Sequence, residues 1–560
     1  MVRRLFVALA LVAWTALAAI ALVWPDVLWL ALLLAPLTVL GIFDMLQREH
    51  TLLRIYPVIG HARYLLEFVR PEIQQYFVES NLDGRPYPRE FRAVIYQRAK
   101  GERDTVPFGT QRDLNAVGCE WMAHSLAPRP PSETPRLLFG AECCKQPYSA
   151  SYLNISAMSY GSLSRNAVMA LNLAAKQGHF AHNTGEGSAS PYHRKYGGDL
   201  IWQIGTGYFG CRDSAGNFDP QRFADVAAVE SIKMIELKLS QGAKPGHGGI
   251  LPAAKLTAEI AEIRGVPLGA DVISPPAHTA FASPKGLLEF VASLREASGG
   301  KPTGFKLCLG NQVEFLSVCK AMVQTGIYPD FITVDGAEGG TGAAPIELSN
   351  SVGMPLADGL NFVHNALRGY DLRGKIRLVA SGKVATGFHI VRALALGADC
   401  CNAARAMMFA LGCIQARRCN ANDCPVGITT QQPARYRALD VEKKAERVAR
   451  YHKDTLHAFA ELIGACGLDD PRDLTAAHVL RRVGPVTIRS FAEVYPELPV
   501  GALQDALSAP TRWRELCAAA SAEHFGGVSV RAPLPVASPE SAFKSAETAP
   551  PKRRLPEALR

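Results

Sequence analysis

The chain has 560 residues, and this length is too great for one ordinary core, so two or more structural units are expected. Its 48% of hydrophobic residues is enough for a large globular domain. Its net charge is +9, but much of the excess lies at the two ends. No basic stripe is interleaved with aromatic residues, so nucleic-acid binding has no support. The 13 cysteines are too sparse for a disulfide scaffold and fit a reducing compartment.

Residues 1–46 have the pattern of a transmembrane hairpin. Residues 5–24 are an apolar run long enough to cross a bilayer, and after a short polar break residues 27–42 form a second apolar run. A signal peptide is the alternative for the first run, but the second run follows almost at once. Arg3 and Arg4 precede the first run and Arg48 follows the second, so the positive-inside rule places both ends in the cytoplasm. We therefore expect a two-span cell-membrane protein whose catalytic part faces the cytoplasm.

Residues 47–150 mix short apolar stripes at helical spacing with many charges and several prolines. This pattern predicts a helical lead-in that lies near the membrane and packs against the main domain. Ordinary packing explains its amphipathic helices better than a partner-binding site does.

Residues 151–433 alternate β-prone runs with glycine-rich turns and helical stretches. The β-prone runs are LNISAMSYG, MIELKLSQG, ADVISPP, TGFKLCLG, FITVDGAEGGTG, RLVASGKVATG and ADCCNAA. Strands that alternate with helices indicate parallel βαβ units. So many units favour an α/β fold of the (β/α)8 TIM-barrel type over a doubly wound sheet, with the active site at the carboxyl ends of the strands. Ser164 is placed to cap the helix after the first strand.

Several turns in this region carry polar residues among glycines. NTGEGS contains Glu186, and QGAKPGHGG contains Lys244 and His247. SGKVATG and NAARAMM follow the last two strands, where barrels usually hold phosphate, and Arg405 could add a bidentate contact. The alternative for these last two turns is that the glycines only close tight bends.

The stretch GCIQARRCNANDCPVGI, residues 412–428, carries three cysteines in a C-x5-C-x4-C run with Pro425 after the third. Soft thiolates at short spacing select zinc or iron–sulfur clusters. The C-x-x-C pairs typical of zinc sites are missing, so the run favours an iron–sulfur ligand loop. Three buried apolar cysteines are the alternative.

Residues 434–527 are predicted to be a helical segment that packs on the barrel. Residues 528–560 are rich in Pro, Ser, Ala and charged residues, which favours disorder.

Taken together, these motifs resemble a known family. SAMSYGSLS, NTGEG, LKLSQGAKPG, ISPP, GGTGAAP and the cysteine run ending in CPVG occur in the order typical of the FMN-binding synthase domain of glutamate synthase. The chain most resembles the stand-alone members called FMN-binding glutamate synthase family proteins. The resemblance covers residues 151–433 and implies a (β/α)8 barrel that holds FMN beside a [3Fe–4S] cluster.

The resemblance also implies roles for individual residues. The cluster ligands would be Cys413, Cys419 and Cys424. The FMN-binding positions would be Ala157, Met158, Ser159, Gln203, Lys306, Gly382, Lys383, Ala404 and Arg405. The active-site positions would be Glu186, Lys238 and Lys244, with Arg264 as the arginine that holds a 2-oxoglutarate carboxylate. His247, which the family does not have, is a second candidate beside Glu186 for moving the proton.

Three positions depart from the family pattern. The family's KPGEGGQLP reads KPGHGGILP here, so His247 replaces a glutamate and Ile250 replaces a glutamine that contacts 2-oxoglutarate. The family's GRFG reads GYFG, so Tyr208 replaces an arginine. Replacing a hydrogen-bonding group can change substrate selectivity by orders of magnitude. The cofactors are therefore more firmly implied than the substrate.

The function implied is that of a membrane-anchored oxidoreductase. It would reduce a 2-oxo or 2-imino acid to an amino acid, or run the reverse reaction, and ammonia would come from outside this chain. No dinucleotide-binding fingerprint stands out, so a ferredoxin-like or membrane-borne electron partner is expected. The alternative is a membrane redox module that carries electrons between proteins without an amino-acid substrate. A flavin-free barrel with a structural metal is a third possibility.

Overall fold

The structure, a computed structural model, describes residues 2–131, 135–505 and 509–526. The tail predicted to be disordered, residues 528–560, lies outside the described residues.

Eight parallel strands form a closed barrel at the centre of the chain. In chain order they are β1 (Leu153–Ile155), β2 (His182–Asn183), β3 (Leu200–Ile204), β4 (Ile232–Lys238), β5 (Thr303–Leu307), β6 (Phe331–Asp335), β7 (Arg377–Ser381) and β8 (Cys400–Ala403). Each strand pairs with the next, and Cys401 of β8 pairs with Leu153 of β1 to close the sheet. Because helices cover the outside and side chains fill the inside, β3, β5 and β6 are buried at every position. The predicted TIM barrel is confirmed.

Helices follow the strands and form the outer layer. They are Arg165–Gly178, Pro191–Arg194, Pro220–Ala227, Pro284–Ala297, Gln312–Thr325, Leu356–Gly369, Gly387–Ala395 and Arg405–Leu411, with the short helix Ile346–Ser351 in the loop after β6. The Ser164 hydroxyl accepts a hydrogen bond from the backbone N–H of Ala167 at 3.3 Å, so the predicted cap is present.

The connection from β4 to β5 contains an insertion. There Ile250–Leu251 pairs antiparallel with Val272–Ile273, and the turn Ala253–Lys255 and the helix Ala258–Arg264 lie between them. The ADVISPP run was expected among the alternating strands, but it supplies this two-residue pairing outside the barrel. The barrel strands β2 and β3 were not assigned from the sequence. A two-residue strand such as β2 is too short to show an alternating pattern.

The N-terminal region is a pair of apolar helices. Val2–Ala21 and the segment Pro25–Leu46, which is a 3-10 turn (Pro25–Leu30) followed by an α-helix (Ala31–Leu46), are long and apolar enough to cross a membrane by length and composition. Trp14 Nε1 donates to Thr38 Oγ1 at 3.1 Å and links the two helices. Arg3 donates to the carbonyl of Met45 at 3.5 Å, so the beginning and the end of the pair lie on the same side.

The lead-in to the barrel is helical only in its first half. It contains the helices Thr51–Ile55, Gly60–Ile73 and Arg89–Lys100 and the π-helical turn Gln74–Val78, and then the short strands Glu120–Met122, Leu137–Phe139 and Tyr148–Ala150. The chain therefore departs from the helical expectation after Lys100. Six prolines between residues 107 and 147 remove backbone donors that further helices would need.

After the barrel, one long helix dominates the C-terminal segment. Val441–Ala465 packs on the helices Arg165–Gly178, Arg89–Lys100 and Gly387–Ala395. Its His452 donates from Nε2 to the carbonyl of Leu153 at 2.9 Å and stacks on Phe180, so the helix supports β1 from outside. The remaining elements are the helices Pro433–Tyr436, Phe491–Val494 and Thr511–Ala519, the 3-10 turns Pro471–Asp473 and Ala476–His478, and the strands Val479–Arg482 and Ile488–Ser490.

Gly387 allows this long helix to approach the barrel closely. A Cβ atom at Gly387 would lie 2.7 Å from the backbone nitrogen of Phe459. We expect Gly387→Ala to lower the free energy of unfolding by about 1–3 kcal/mol, because backbone cannot move aside as a flexible side chain can. Denaturant unfolding in detergent measures the change. The control is Gly374→Ala, where an added Cβ meets nothing within 4 Å; an equal loss in both variants would contradict the packing argument.

Candidate active site

The inside of the barrel holds a carboxylate that three strands bind. Glu236 of β4 is fully buried. Its Oε2 accepts hydrogen bonds from Asn183 Nδ2 at 2.7 Å and Gln203 Nε2 at 2.6 Å, and its Oε1 accepts one from Thr333 Oγ1 at 2.7 Å. A buried carboxylate needs such partners because removing a charge from water is costly. Glu236 therefore fixes β2, β3, β4 and β6 relative to one another.

A second buried pair lies beside Glu236. Lys306 Nζ of β5 lies 3.2 Å from Asp335 Oδ2 of β6. Burial alone would lower the pKa of Lys306, but the carboxylates of Asp335 and Glu236 outweigh it and raise the pKa, so the ammonium stays charged. Asp335 Oδ2 also accepts the backbone N–H of Gly242 at 2.9 Å. The pair therefore also positions the QGAKPG loop, which carries Lys244.

Cations outnumber carboxylates at the mouth of the barrel. Lys238 Nζ at the end of β4 lies 3.1 Å from Glu186 Oε2 in the loop after β2. Burial opposes ionisation of Glu186, but the charges of Lys238, Arg264 and Lys244 together lower the pKa of its carboxyl group. Three cations therefore surround one carboxylate. The cluster carries an excess of two positive charges in a buried setting.

Lys244 and Arg264 are the two cations of this cluster that form no close ion pair with Glu186, and each donates to a backbone carbonyl instead. Burial lowers the pKa of Lys244 to about 8, and Glu186 offsets part of that shift. Burial lowers the pKa of Arg264 to about 10, again against the pull of Glu186. Arg264 donates to the carbonyl of Tyr160 at 3.0 Å, but its Nε is buried with no hydrogen-bond partner among the described residues. Unpaired buried donors of this kind suit an anionic ligand.

The Glu186 side chain fits at the barrel mouth because the neighbouring glycines have no Cβ atom. A Cβ atom at Gly249 would lie 1.9 Å from Glu186 Oε1, and one at Gly205 would lie 2.6 Å from Glu186 Cβ. Gly185 similarly faces the backbone of the first loop, 2.7 Å from the Ser159 nitrogen. The glycine-rich turns therefore do more than close bends, because they let the loops after β2, β3 and β4 meet.

The three positions that depart from the family pattern have different surroundings. Tyr208 is buried, and its hydroxyl accepts the backbone N–H groups of Thr279 and Ala280, each at 3.1 Å. It therefore holds a loop and is not open to a ligand through that hydroxyl. His247 is half-buried, and its Nδ1 donates to the carbonyl of Gly248 at 2.8 Å. Ile250 is half-buried in the short strand pair of the insertion.

The ends of β7, β8 and β1 lie side by side. Ser156 donates its backbone N–H to the carbonyl of Ala403 at 3.0 Å, and the hydroxyls of Ser156 and Ser381 lie 3.4 Å apart. The loops after these three strands carry residues predicted to bind FMN, and the barrel places them next to one another. They are Ala157, Met158 and Ser159 after β1; Gly382 and Lys383 after β7; and Ala404 and Arg405 after β8. Within the part of the chain that the structure describes, the buried Asn402 Oδ1 has no hydrogen-bond partner at this edge.

Positive charge gathers at this edge too. Burial lowers the pKa of Lys383, and the neighbouring Arg405 lowers it further. Arg405 donates to the carbonyl of Glu338 at 2.6 Å and lies over the Tyr87 ring at 4.9 Å. Lys383 has a left-handed backbone with φ of 52° and follows Gly382 with φ of 150°, so the chain turns sharply beside the two cations.

The three cysteines of the loop after β8 line one small enclosed pocket. Burial raises the pKa of the Cys413 thiol to about 12, and the nearby Cys419 and Cys424 add to the rise. Lys255 from the insertion is buried next to them and donates from Nζ to the carbonyls of Cys419 at 3.1 Å and Ser162 at 2.6 Å. A buried cation beside three thiols fits a site that holds negatively charged sulfur.

Four residues of this network were missed by the sequence analysis. They are Glu236, Asp335, Lys255 and His278, whose Nε2 donates to the carbonyl of Lys238 at 2.9 Å. For Glu236 a signal existed, because it is an acid within the apolar run MIELK and lies two residues before Lys238, on the same face of the strand.

A closed parallel barrel with a buried, charge-rich mouth at the carboxyl ends of its strands is the arrangement of a (β/α)8-barrel enzyme. A family model described as the conserved region in glutamate synthase matches residues 131–469. The chain belongs to the glutamate synthase family and is an oxidoreductase of that class.

Two curated relatives and one solved structure show the extent of the likeness. The glutamate synthase large subunit-like protein YerD of Bacillus subtilis is 37% identical over 484 residues, 78% of this chain and 91% of YerD. The archaeal glutamate synthase (NADPH) of Methanocaldococcus jannaschii is 36% identical over 321 residues, 57% of this chain and 60% of that synthase. A mandelate oxidase structure is 14% identical with a TM-score of 0.38, over 73% of this chain and 94% of the oxidase. The assignment of the fold therefore rests on the closed eight-stranded barrel described above and not on this structure.

Replacing the central carboxylate tests the barrel network. Glu236→Gln removes a charge near Lys306 and puts an amide N–H₂ group among three donors. We expect the free energy of unfolding to fall by about 3–5 kcal/mol, as when one partner of a buried pair is lost. The exposed Glu289→Gln is the control and should change it by less than about 0.5 kcal/mol. Equal unfolding curves for the two variants would refute the role given to Glu236.

Proposed function

We propose that the protein is a membrane-anchored flavin and iron–sulfur oxidoreductase that interconverts a 2-oxo or 2-imino dicarboxylic acid and the matching amino acid. The observation that carries the proposal is the buried cluster in which Lys238, Lys244 and Arg264 face the single carboxylate of Glu186. An excess of two positive charges in a desolvated pocket is complementary to a substrate with two carboxylates. The names of the curated relatives agree with such a substrate.

FMN is the flavin that the family and the edge of β7, β8 and β1 support. Gly382, Lys383 and Arg405 would hold its phosphate, because two half-buried cations and a tight turn converge there. Lys306 would lie near the ring system, where a cation favours the negative charge that reduction adds. The unpaired Asn402 Oδ1 offers an acceptor beside them. When bound, FMN supplies hydride transfer to a C=N or C=O bond, or from the matching C–H bond in the reverse direction. Gln203, Ala157, Met158, Ser159 and Ala404 are the other proposed contacts.

Cys413, Cys419 and Cys424 would hold a [3Fe–4S] cluster. Their thiols line one pocket, and Lys255 offsets the negative charge that bound thiolates bring. When bound, such a cluster supplies one-electron transfer to the flavin.

Different residues of the chain would bind the substrate and transfer its proton. Lys244 and Arg264 would bind its carboxylates, since Arg264 Nε has no hydrogen-bond partner among the described residues, and the Lys244 ammonium donates to the carbonyl of Ala343 at 2.9 Å with donors to spare. Glu186 or His247 would move the proton, and Lys238 would keep Glu186 in place through their 3.1 Å contact. Ammonia for the synthetic direction would come from another protein.

A redox module without an amino-acid substrate is the second candidate. Ile250 favours it, because this apolar side chain stands where the family has a glutamine that contacts 2-oxoglutarate. The buried cluster around Glu186 favours the enzyme, because an electron carrier has no use for two uncompensated cations near its flavin.

The location is proposed from the N-terminal helices. Two apolar helices whose ends meet on the same side, with arginines before and after them, support two spans with the barrel in the cytoplasm. The electron partner would then be a ferredoxin-like protein or a membrane-borne carrier.

Substrate additions under anaerobic conditions test the enzymatic proposal. We expect L-glutamate to bleach the oxidised flavin, and 2-oxoglutarate with ammonium to restore the oxidised spectrum of the reduced protein. Lys244→Met should raise the substrate KM by about 10–100-fold, the worth of a charged hydrogen bond. The exposed Lys453→Met is the control and should leave KM unchanged. A flavin whose absorption spectrum changes with neither addition would refute the proposed dicarboxylate substrate and favour the electron-carrier function.

The pH dependence of substrate binding is a separate prediction. Because the pKa of Lys244 is lowered to about 8, its ammonium is present below that pH and is lost as the pH rises through it. We expect KM for the dicarboxylate to rise above about pH 8 in the wild type and to stay flat up to about pH 9 in Lys244→Arg, because an arginine keeps its charge where the lysine loses it. Steady-state kinetics between about pH 6 and about pH 9, below the pKa of about 10 of Arg264, measures this. A wild-type KM that stays flat over that range would contradict the role of Lys244.

Iron analysis tests the cluster. Wild-type protein should contain about three iron atoms per chain, the content of a [3Fe–4S] cluster. Cys419→Ser should lose most of the iron and the visible absorption of the cluster, whereas Cys466→Ser, outside the cysteine pocket, should keep both. Iron that persists in Cys419→Ser would exclude this thiol as a ligand.

A further inference from the structure

The segment of residues 60–78, here called the interfacial helix, is almost unburied. It consists of the helix Gly60–Ile73 and the π-helical turn Gln74–Val78, and Gly60 is its one buried residue. Its exposed apolar side chains include Leu65, Leu66, Phe68, Ile73, Tyr76 and Phe77, and Phe77 is 84% exposed. An exposed apolar surface of this extent marks a contact with another body.

The exposed side chains of the interfacial helix are sorted by polarity. Leu65, Leu66, Ile73, Tyr76 and Phe77 recur at spacings of three, four, seven and eight residues and share one arc of the helix. The adjoining arc carries Arg63, Glu67, Arg70 and Gln74, and Arg63 and Glu67 form an ion pair at 2.8 Å, while Phe68 lies outside both arcs. A helix with one apolar and one charged arc is typical of a segment that lies in the plane of a membrane surface.

The start of the interfacial helix is tied to the end of the second apolar span. The buried Asp44 accepts the backbone N–H of Val58 at 2.8 Å and the ring N–H of His61 at 2.9 Å. The short helix Thr51–Ile55 lies between them in the chain. The interfacial helix therefore begins beside the end of the second apolar helix, at the level where the proposed hairpin would leave the lipid.

The other end of the interfacial helix touches the cysteine loop. Gln75 Nε2 donates to the carbonyl of Ile414, the residue after Cys413, at 2.8 Å. The Arg418 guanidinium lies 5.8 Å from the centre of the Phe68 ring. The interfacial helix therefore connects the end of the second apolar helix with the loop of residues 412–428.

We propose that the interfacial helix lies in the membrane–water interface with its apolar arc in lipid, and that it thereby holds the cysteine loop at the level of the lipid headgroups. The inference rests on the proposed hairpin and deepens the proposed function. The iron–sulfur site would then face the membrane surface, on the side from which a membrane-borne electron partner would approach it.

Photo-crosslinking of the full chain in vesicles of phosphatidylcholine and phosphatidylglycerol tests the lipid contact. Benzoylphenylalanine replaces Phe77 in one sample, Leu32 of the second span in another, and the exposed Val486 in a third. We expect lipid adducts at Leu32 and Phe77 in yields at least about tenfold above Val486, because only the first two positions enter the bilayer. Mass spectrometry of the digested protein identifies the adducts.

The outcomes separate this inference from the proposal on which it rests. Lipid adducts at Leu32 without adducts at Phe77 overturn the inference and leave the hairpin intact. Cross-linked dimers at Phe77 assign the arc to a second copy of the chain and also overturn it. No lipid adduct at Leu32 overturns the hairpin, and the inference with it.

The position of the cysteine loop has its own readout. Lipids with nickel-chelating headgroups should speed the spin relaxation of the oxidised cluster. The double variant Leu66→Asp and Phe77→Asp should lose at least about half of that enhancement, because charge expels the arc from lipid, and Val486→Asp should lose none. Equal enhancement in all three proteins overturns the placement of the loop. A sample without any cluster signal refutes the proposed iron–sulfur site, and cross-linking then decides the lipid contact alone.

Discussion

The balance of buried charge at the carboxyl ends of the barrel strands is the constraint on which the rest of the structure depends. Removing a charged side chain from water costs several kcal/mol unless partners replace the water, so buried cations without carboxylates are a strained arrangement. Lys244 and Arg264 bear that cost, since burial lowers the pKa of each despite the nearby Glu186. An anionic ligand would relieve this cost.

Deeper in the barrel the charges are matched. Glu236 has three hydrogen-bond donors, and Lys306 has Asp335 as its partner. Strand β4 joins the two regions, because Glu236 and Lys238 lie two residues apart and point to the same face. Charged groups inside the barrel have partners of opposite charge or hydrogen-bond donors, whereas cations are in excess at the mouth. The groups inside are those that stabilise the barrel, and the groups at the mouth are those proposed to bind substrate.

The cysteine loop is held from several sides by parts of the chain that are far apart in sequence. Lys255 reaches it from the insertion after β4, the Tyr96 hydroxyl donates to the carbonyl of Cys413 at 2.5 Å, and Gln75 reaches Ile414. The insertion also carries Arg264 of the barrel mouth. The proposed cluster site, the charged mouth of the barrel and the helical lead-in are therefore connected through this loop.

The sequence by itself determined whatever depends on local pattern. Apolar runs before glycine turns indicated most barrel strands, and spacing drew attention to the three cysteines. It missed β2, which is too short for any periodicity, and misplaced Val272–Ile273, which pairs outside the barrel. Glu236 gained its importance only from donors on three other strands, and Tyr208, an apparent change in a binding position, proved to hold a neighbouring loop. Only the tertiary structure decided these points, because the contacts join residues that no sequence spacing relates.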